Sequence, residues 1–139
     1  RRSAVDGLAN PWRDRGITKV IGIESRGFIL GAMLADELDA GFIPVRKEGK
    51  LPFTTIRESY ELEYGKDTIE MHIDALSESD RVLIHDDVIA TGGTAAATHR
   101  LVSFSGAETA GFSFLVELSF LDGRSRLPAD VLFDALLTY

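Results

Sequence analysis

No cysteine occurs among the 139 residues, which excludes disulfides, thiolate zinc sites and thiol nucleophiles and fits a cytoplasmic address. Long apolar runs are absent as well. None approaches the ~18 residues of a membrane-spanning helix, and no charged stretch leading into an apolar core marks a signal peptide. Positive charge is scarce, since 15 Lys and Arg against 22 Asp and Glu leave −7. A broad nucleic-acid or membrane surface would therefore need a strongly localised basic patch. His72, His85 and His99 show no HxxxH spacing, so a catalytic zinc site is not expected. Neither GxGxxG nor a Gly-Lys-Ser/Thr P-loop is present, which argues against dinucleotide binding and nucleoside-triphosphate hydrolysis.

What is present describes an ordinary folded domain. Hydrophobic residues at 45% and charged residues at 27% rule out a disordered, collagen-like or coiled-coil chain. One domain of this size hides about 68% of the surface its unfolded chain exposes, enough for a single core. The sequence starts at Arg1 rather than Met, so an upstream segment is expected.

Thr18 to Ile23 is short, β-branched and apolar, and leads through Glu24-Ser25-Arg26-Gly27 into a periodic stretch from Phe28 to Leu38. That reads as strand, loop and helix, with Gly41 ending the helix. Phe42 to Val45 predicts a second strand, whose Pro44 suits a strand end or an edge. Arg46 to Arg57 holds Gly49 and Pro52 without periodicity and is read as a mobile lid. Ser59 to Glu63 and Thr68 to His72 flank the turn-rich Tyr64-Gly65-Lys66-Asp67 and predict an antiparallel hairpin. Arg81 to His85 predicts a central strand covered on both faces, with Asp86 to Gly93 as its loop. A helix from about Thr94 to Phe104 and strands at Ala110 to Leu118 and Val131 to Leu136 complete the pattern. Strands alternating with helices predict an α/β domain with a mostly parallel sheet.

The segment Val82 to Thr94, VLIHDDVIATGGT, places two carboxylates after a buried strand, then a turn of small residues, then a helix start. Ligands gather at that edge of open α/β sheets. Ala90, Thr91, Gly92 and Gly93 let backbone N–H groups approach a phosphate closely, and the first helical turn adds unpaired donors and a positive dipole end. Thr91 and Thr94 add hydroxyls. Asp86 and Asp87 suit a ribose diol or the water shell of Mg²⁺. Residues 42–57 carry Arg46, Lys47, Lys50 and Arg57 against Glu48, 4 − 1 = +3, while residues 58–80 carry eight acids against Lys66. A positive field of this kind suits a polyanionic ligand. Ser25, Arg26 and Gly27 offer exposed N–H groups and a guanidinium to phosphate oxygens, although Arg26 could equally pair with a surface acid.

VLIHDDVIATGGT resembles the 5-phosphoribosyl-1-pyrophosphate (PRPP) signature of type I phosphoribosyltransferases. IGIESRGFILG, PVRKEGKLP and SYELEYG extend the resemblance to the adenine phosphoribosyltransferases, in the family's order from Ile21 to Leu118. The resemblance implies one phosphoribosyltransferase domain over 1–139, with a central, mostly parallel sheet flanked by helices and a flexible hairpin lid. It implies transfer of 5-phosphoribosyl from PRPP to adenine, giving AMP and pyrophosphate in purine salvage. It assigns Asp86, Asp87, Ala90, Thr91, Gly92, Gly93 and Thr94 to PRPP and AMP. Ser25, Arg26, Gly27, Lys47, Lys50 and Tyr64 fall to pyrophosphate, and Glu63 to general acid/base work on the purine. Mg²⁺ is expected as cofactor, held mainly by PRPP and water rather than by direct protein ligands.

Departure of pyrophosphate builds positive charge on the sugar, so cations at the leaving group and a lid at 46–64 that excludes water would serve the reaction. The family also implies a cytoplasmic homodimer acting on small molecules, without nucleic-acid or membrane partners. Its N-terminal base-pocket segment has no counterpart before Arg1. Two other readings stay open: a phosphoribosyltransferase for another purine, and a non-catalytic PRPP-sensing regulator.

Overall fold

Val20 and Ile21 are adjacent in sequence yet belong to two different cores, because successive side chains of a strand point to opposite faces. The computed structural model describes residues 3–62 and 64–139. Within it α1 (Ala4–Ala9), β1 (Lys19–Ile23), α2 (Gly27–Glu37), β2 (Gly41–Lys47), β3 (Thr55–Leu62) and β4 (Gly65–His72) precede β5 (Arg81–Ile89), α3 (Gly93–Phe104), β6 (Glu108–Glu117) and β7 (Leu132–Thr138). The seven strands form one sheet in the order β3-β4-β2-β1-β5-β6-β7. Strands β2, β1, β5, β6 and β7 are parallel, and β4 joins β2 antiparallel through Arg46↔Glu70 and Lys47↔Ile69. Val20 and Leu83 pack with Leu8, Trp12, Leu34 and Ala35. Ile21, Val82 and Ile84 pack with Leu101, Val102, Phe112 and Phe114 on the other face.

The predicted strands and helices all form, and several boundaries move. Strand β5 continues through Asp86 and Asp87 to Ile89, where a loop was expected, because β6 stays paired alongside it up to Ile89↔Glu117. Strand β1 stops pairing with β5 at Gly22↔His85. Beyond that point the Asp86 and Asp87 carboxylates accept the N–H groups of Asp87 (2.8 Å) and Val88 (2.9 Å). The expected lid over 46–57 shrinks to a 48–54 loop, since β2 and β3 claim Arg46, Lys47 and Thr55 to Arg57. The hairpin is antiparallel as expected, but Gly65, Lys66 and Asp67 already pair with β3.

Gly41 does not end α2. Leu38 caps the helix, Asp39 takes the left-handed conformation at φ 54°, and Gly41 opens β2. Pro44 lies in the part of β2 that has β1 on one side only, where its missing N–H costs nothing. Helix α1 was not anticipated. Ser3 Oγ accepts the Asp6 N–H and the Asp6 carboxylate accepts the Ser3 N–H, a reciprocal cap.

Candidate active site

Two strands end side by side at the carboxyl edge of the sheet, β1 running into Glu24-Ser25-Arg26 and β5 into Ala90-Thr91-Gly92. Between them α2 sits close to β5. A Cβ on Gly27 would come within 3.0 Å of Asp86 Oδ1 and 3.3 Å of Asp86 Cα, so only glycine fits without displacement. The Glu24–Ser25 peptide is cis. Arg26 caps the start of α2 with a side chain 76% exposed, and its Nε lies 2.6 Å from Asp87 Oδ2. This contact joins the loop expected to hold pyrophosphate to the acid expected to face a ribose.

Asp86, Ile89, Ala90, Thr91, Gly92, Gly93 and Thr94 line one cavity of about 110 Å³. The turn is fixed from behind. Gly92 has φ +86°, and a Cβ there would overlap the Gly123 carbonyl oxygen; a Cβ on Gly123 would in turn overlap that of Ala90. Helix α3 then starts at Gly93, with Gly92 as a cap that offers no side chain. The first-turn N–H groups of a helix have no intrahelical partner, and the macrodipole favours an anion there. The structure thus brings together all seven residues expected to hold the phosphoribosyl unit: five line the cavity beyond β5, Asp86 with them, and Asp87 stands one residue on.

Burial and the neighbouring Asp87 carboxylate push the Asp86 carboxyl up to about 8. The shift favours the protonated form of Asp86, which can donate as well as accept a hydrogen bond. His85 is fully buried, with Nδ1 3.3 Å from Ser113 Oγ. Burial holds it down at about 4, so its ring is neutral.

The opposite side of the site is a lattice of charges. Glu24, only 13% exposed in its side chain, faces Arg46 Nε at 3.2 Å and Lys50 Nζ at 3.4 Å, and accepts the Lys47 N–H at 2.8 Å. Although burial works against ionisation, the Lys47 amide and Lys50 hold the Glu24 carboxyl below its ordinary value. Lys47 Nζ is paired with Asp67 and lies 3.1 Å from Tyr60 Oη. Burial opposes its charge, but Asp67 and Tyr60 raise its pKa overall. Ser25, Arg26, Gly27, Lys47 and Lys50 thus gather around the β1 and β2 ends. Tyr64, 89% exposed at the hairpin tip, stands apart from them. Glu63 lies outside the described residues.

The organising residue that sequence reading missed is Glu24. Its signal was an acid directly after the buried apolar run Val20–Ile23, where burial demands partners. Tyr60 and Asp67 were likewise missed as the partners of Lys47. Among the aromatic residues, Trp12, Phe112 and Phe114 are core, whereas Phe120 is exposed.

Residues 5–131 match the family model described as phosphoribosyl transferase domain. The chain is 55% identical over its full length to an adenine phosphoribosyltransferase of Flavobacterium johnsoniae, spanning 81% of that protein. A second relative, the adenine phosphoribosyltransferase of Phocaeicola vulgatus, is 54% identical over 96% of this chain and 77% of its own. Among solved structures, adenine phosphoribosyltransferase from Rhodothermus marinus superposes with a TM-score of 0.95 at 64% identity, covering 98% of this chain and 77% of that one. The Trypanosoma brucei enzyme, in complex with AMP, pyrophosphate and ribose-5-phosphate, matches with a TM-score of 0.85 at 32% identity, over 96% of this chain and 64% of that one. The family-model match over residues 5–131 and these identities, on a shared sheet with a glycine-locked turn beside paired aspartates, place the chain in the type I phosphoribosyltransferase family, on its adenine phosphoribosyltransferase branch.

Proposed function

We propose that this chain transfers the 5-phosphoribosyl group of PRPP to adenine, releasing pyrophosphate and forming AMP in purine salvage. The observation that carries the reading is the cavity of about 110 Å³ lined by Ala90 to Thr94 and Asp86, where free first-turn amides of α3 lie beside a carboxyl. Amides of 90–94 and the Thr91 and Thr94 hydroxyls would hold the 5-phosphate. Asp86, as a neutral donor and acceptor, and Asp87, as an acceptor, would take the ribose diol. Arg26 would then exchange Asp87 for pyrophosphate oxygens, joined by the amides of Ser25 and Gly27.

Lys47 and Lys50 meet the leaving group by releasing Asp67 and Glu24, with Tyr64 brought in by movement of the hairpin tip. Excluding water at that stage protects the reactive sugar until the base attacks. Glu63 is the proposed proton handler for the purine, and its worth in that role is about 10²–10⁴ in rate.

Among the described residues no three His, Asp or Glu side chains converge as a metal cage. Mg²⁺ commonly binds through substrate phosphates, water and one or two carboxylates, a pattern that suits an ion arriving on PRPP with Asp86 and Asp87 facing its water shell. When bound it neutralises charge on the departing pyrophosphate. No helix among the described residues is long and apolar enough to cross a membrane. A single phosphoribosyltransferase domain, a homodimeric assembly and a cytoplasmic setting complete the proposal.

The test is incubation with Mg²⁺, PRPP and each purine in turn. AMP from adenine alone is the expected result. Product from hypoxanthine or guanine instead would make this an enzyme for another purine, and PRPP binding without turnover would make it a sensor.

A further inference from the structure

The phosphate cradle provides amides and hydroxyls but no cation of its own, although a phosphate monoester carries close to two negative charges at neutral pH. Nearby cations are committed elsewhere: Arg26 to Asp87, Arg46 and Lys50 to Glu24, Lys47 to Asp67, Arg100 to Glu58. Arg126 stands differently. Its Nη1 is 3.5 Å from the position a Cβ on Gly93 would occupy, and among the described residues it makes no ion pair. Gly93 lines both the cradle cavity and a neighbouring groove of about 490 Å³ shared by Tyr60, Arg100 and Arg126.

Arg126 is brought there by rigid backbone. It ends the 3-10 turn Gly123–Arg126, whose first residue is pressed against Gly92 and Ala90 by the mutual glycine contacts, and the next residue, Leu127, is buried. These contacts tie the segment to the cradle. Arg124 in the same turn points elsewhere, its guanidinium 4.3 Å from the centre of the Phe133 ring.

We infer that Arg126 is a further binding residue for the 5-phosphate, reaching over Gly93 to the outer phosphate oxygens. The inference rests on the phosphoribosyl reading of the cradle. An arginine at this lip supplies the missing charge and a planar fork suited to phosphate. Because it approaches from outside, it recognises a terminal phosphate monoester and disfavours an uncharged 5-hydroxyl.

Calorimetry with ribose 5-phosphate and, separately, pyrophosphate would test this on the wild-type chain, Arg126→Gln, Arg126→Lys and Arg124→Gln. Arg126→Gln is expected to weaken ribose 5-phosphate about tenfold and to raise the KM for PRPP with little change in kcat. Pyrophosphate affinity should stay within about twofold, Arg126→Lys should recover most of the loss, and Arg124→Gln should match wild type. Unchanged ribose 5-phosphate binding in Arg126→Gln, with AMP still formed, overturns the role of Arg126 alone. Equal weakening of both ligands also overturns it, since that reports only a general positive field. Failure of the wild-type chain to bind ribose 5-phosphate removes both this inference and the function beneath it.

Discussion

The two ends of the candidate site would solve anion binding in opposite ways. At 90–94 the donors are backbone amides, fixed by Gly92 against Gly123 and ready without rearrangement. At the β1 and β2 ends the donors are long cationic side chains, each already holding an acid: Arg26 with Asp87, Arg46 and Lys50 with Glu24, Lys47 with Asp67. The first end is preorganised, and the second must exchange partners. In the proposed reaction, a monoester that stays bound throughout would belong at the rigid end. A leaving group that must depart belongs where internal acids can reclaim the cations, which lowers the cost of release.

The largest effect should come from spoiling the rigid end. Gly92→Ala forces a side chain into left-handed backbone and onto a carbonyl oxygen, and should cost roughly 2–4 kcal/mol of stability. A denaturant melt would read it. Ribose 5-phosphate binding should fall with it more than pyrophosphate binding, and equal losses would erase the distinction between the ends.

Next in size is the pH response of Asp86. Its folded value of about 8 stands above the ordinary 3.8, so between those limits the folded protein retains a proton that the unfolded chain gives up. Stability therefore falls as pH rises from about 4 to 8. Asp86→Asn removes that slope, and its advantage over wild type should grow by on the order of 1–3 kcal/mol between pH 5 and pH 8. Denaturation midpoints at both values would show it, and parallel curves would contradict the buried neutral carboxyl.

A smaller change is expected at the exchanging end. Glu24→Gln keeps an acceptor for the Lys47 N–H but loosens Arg46 and Lys50. Pyrophosphate should bind a few-fold more tightly, at a stability cost of about 1 kcal/mol. The smallest effect belongs to Asp67→Asn, which frees Lys47 alone at a more exposed pair. A gain of about twofold in pyrophosphate affinity, shrinking as salt is added, is the expected titration result. Weaker pyrophosphate binding in both variants would mean that these acids position the cations rather than compete for them.

The turn at 90–94 was legible because Ala, Thr and two Gly between an apolar strand and a helix constrain only local backbone. The charge count over 42–57 was legible and misleading in one respect. Its +3 is real as arithmetic, but Glu24 arrives from β1 and Asp67 from β4, both outside that window, and neutralise what the count left free. Asp86 and Asp87 were expected in the loop that follows the apolar strand; pairing with β6 instead carries β5 through them to Ile89. Helix α1 escaped because six residues carry too little periodicity to announce themselves.

By itself the sequence determined the order of strands and helices and the glycine-rich turn after β5, since apolar periodicity and glycine placement act over a few neighbouring residues. Only the tertiary structure decided which acid faces which cation, that burial raises the pKa of Asp86, and that Arg126 stands beside Gly93. Those properties depend on burial and on distances between segments far apart in the chain, and neither is a property of a local window.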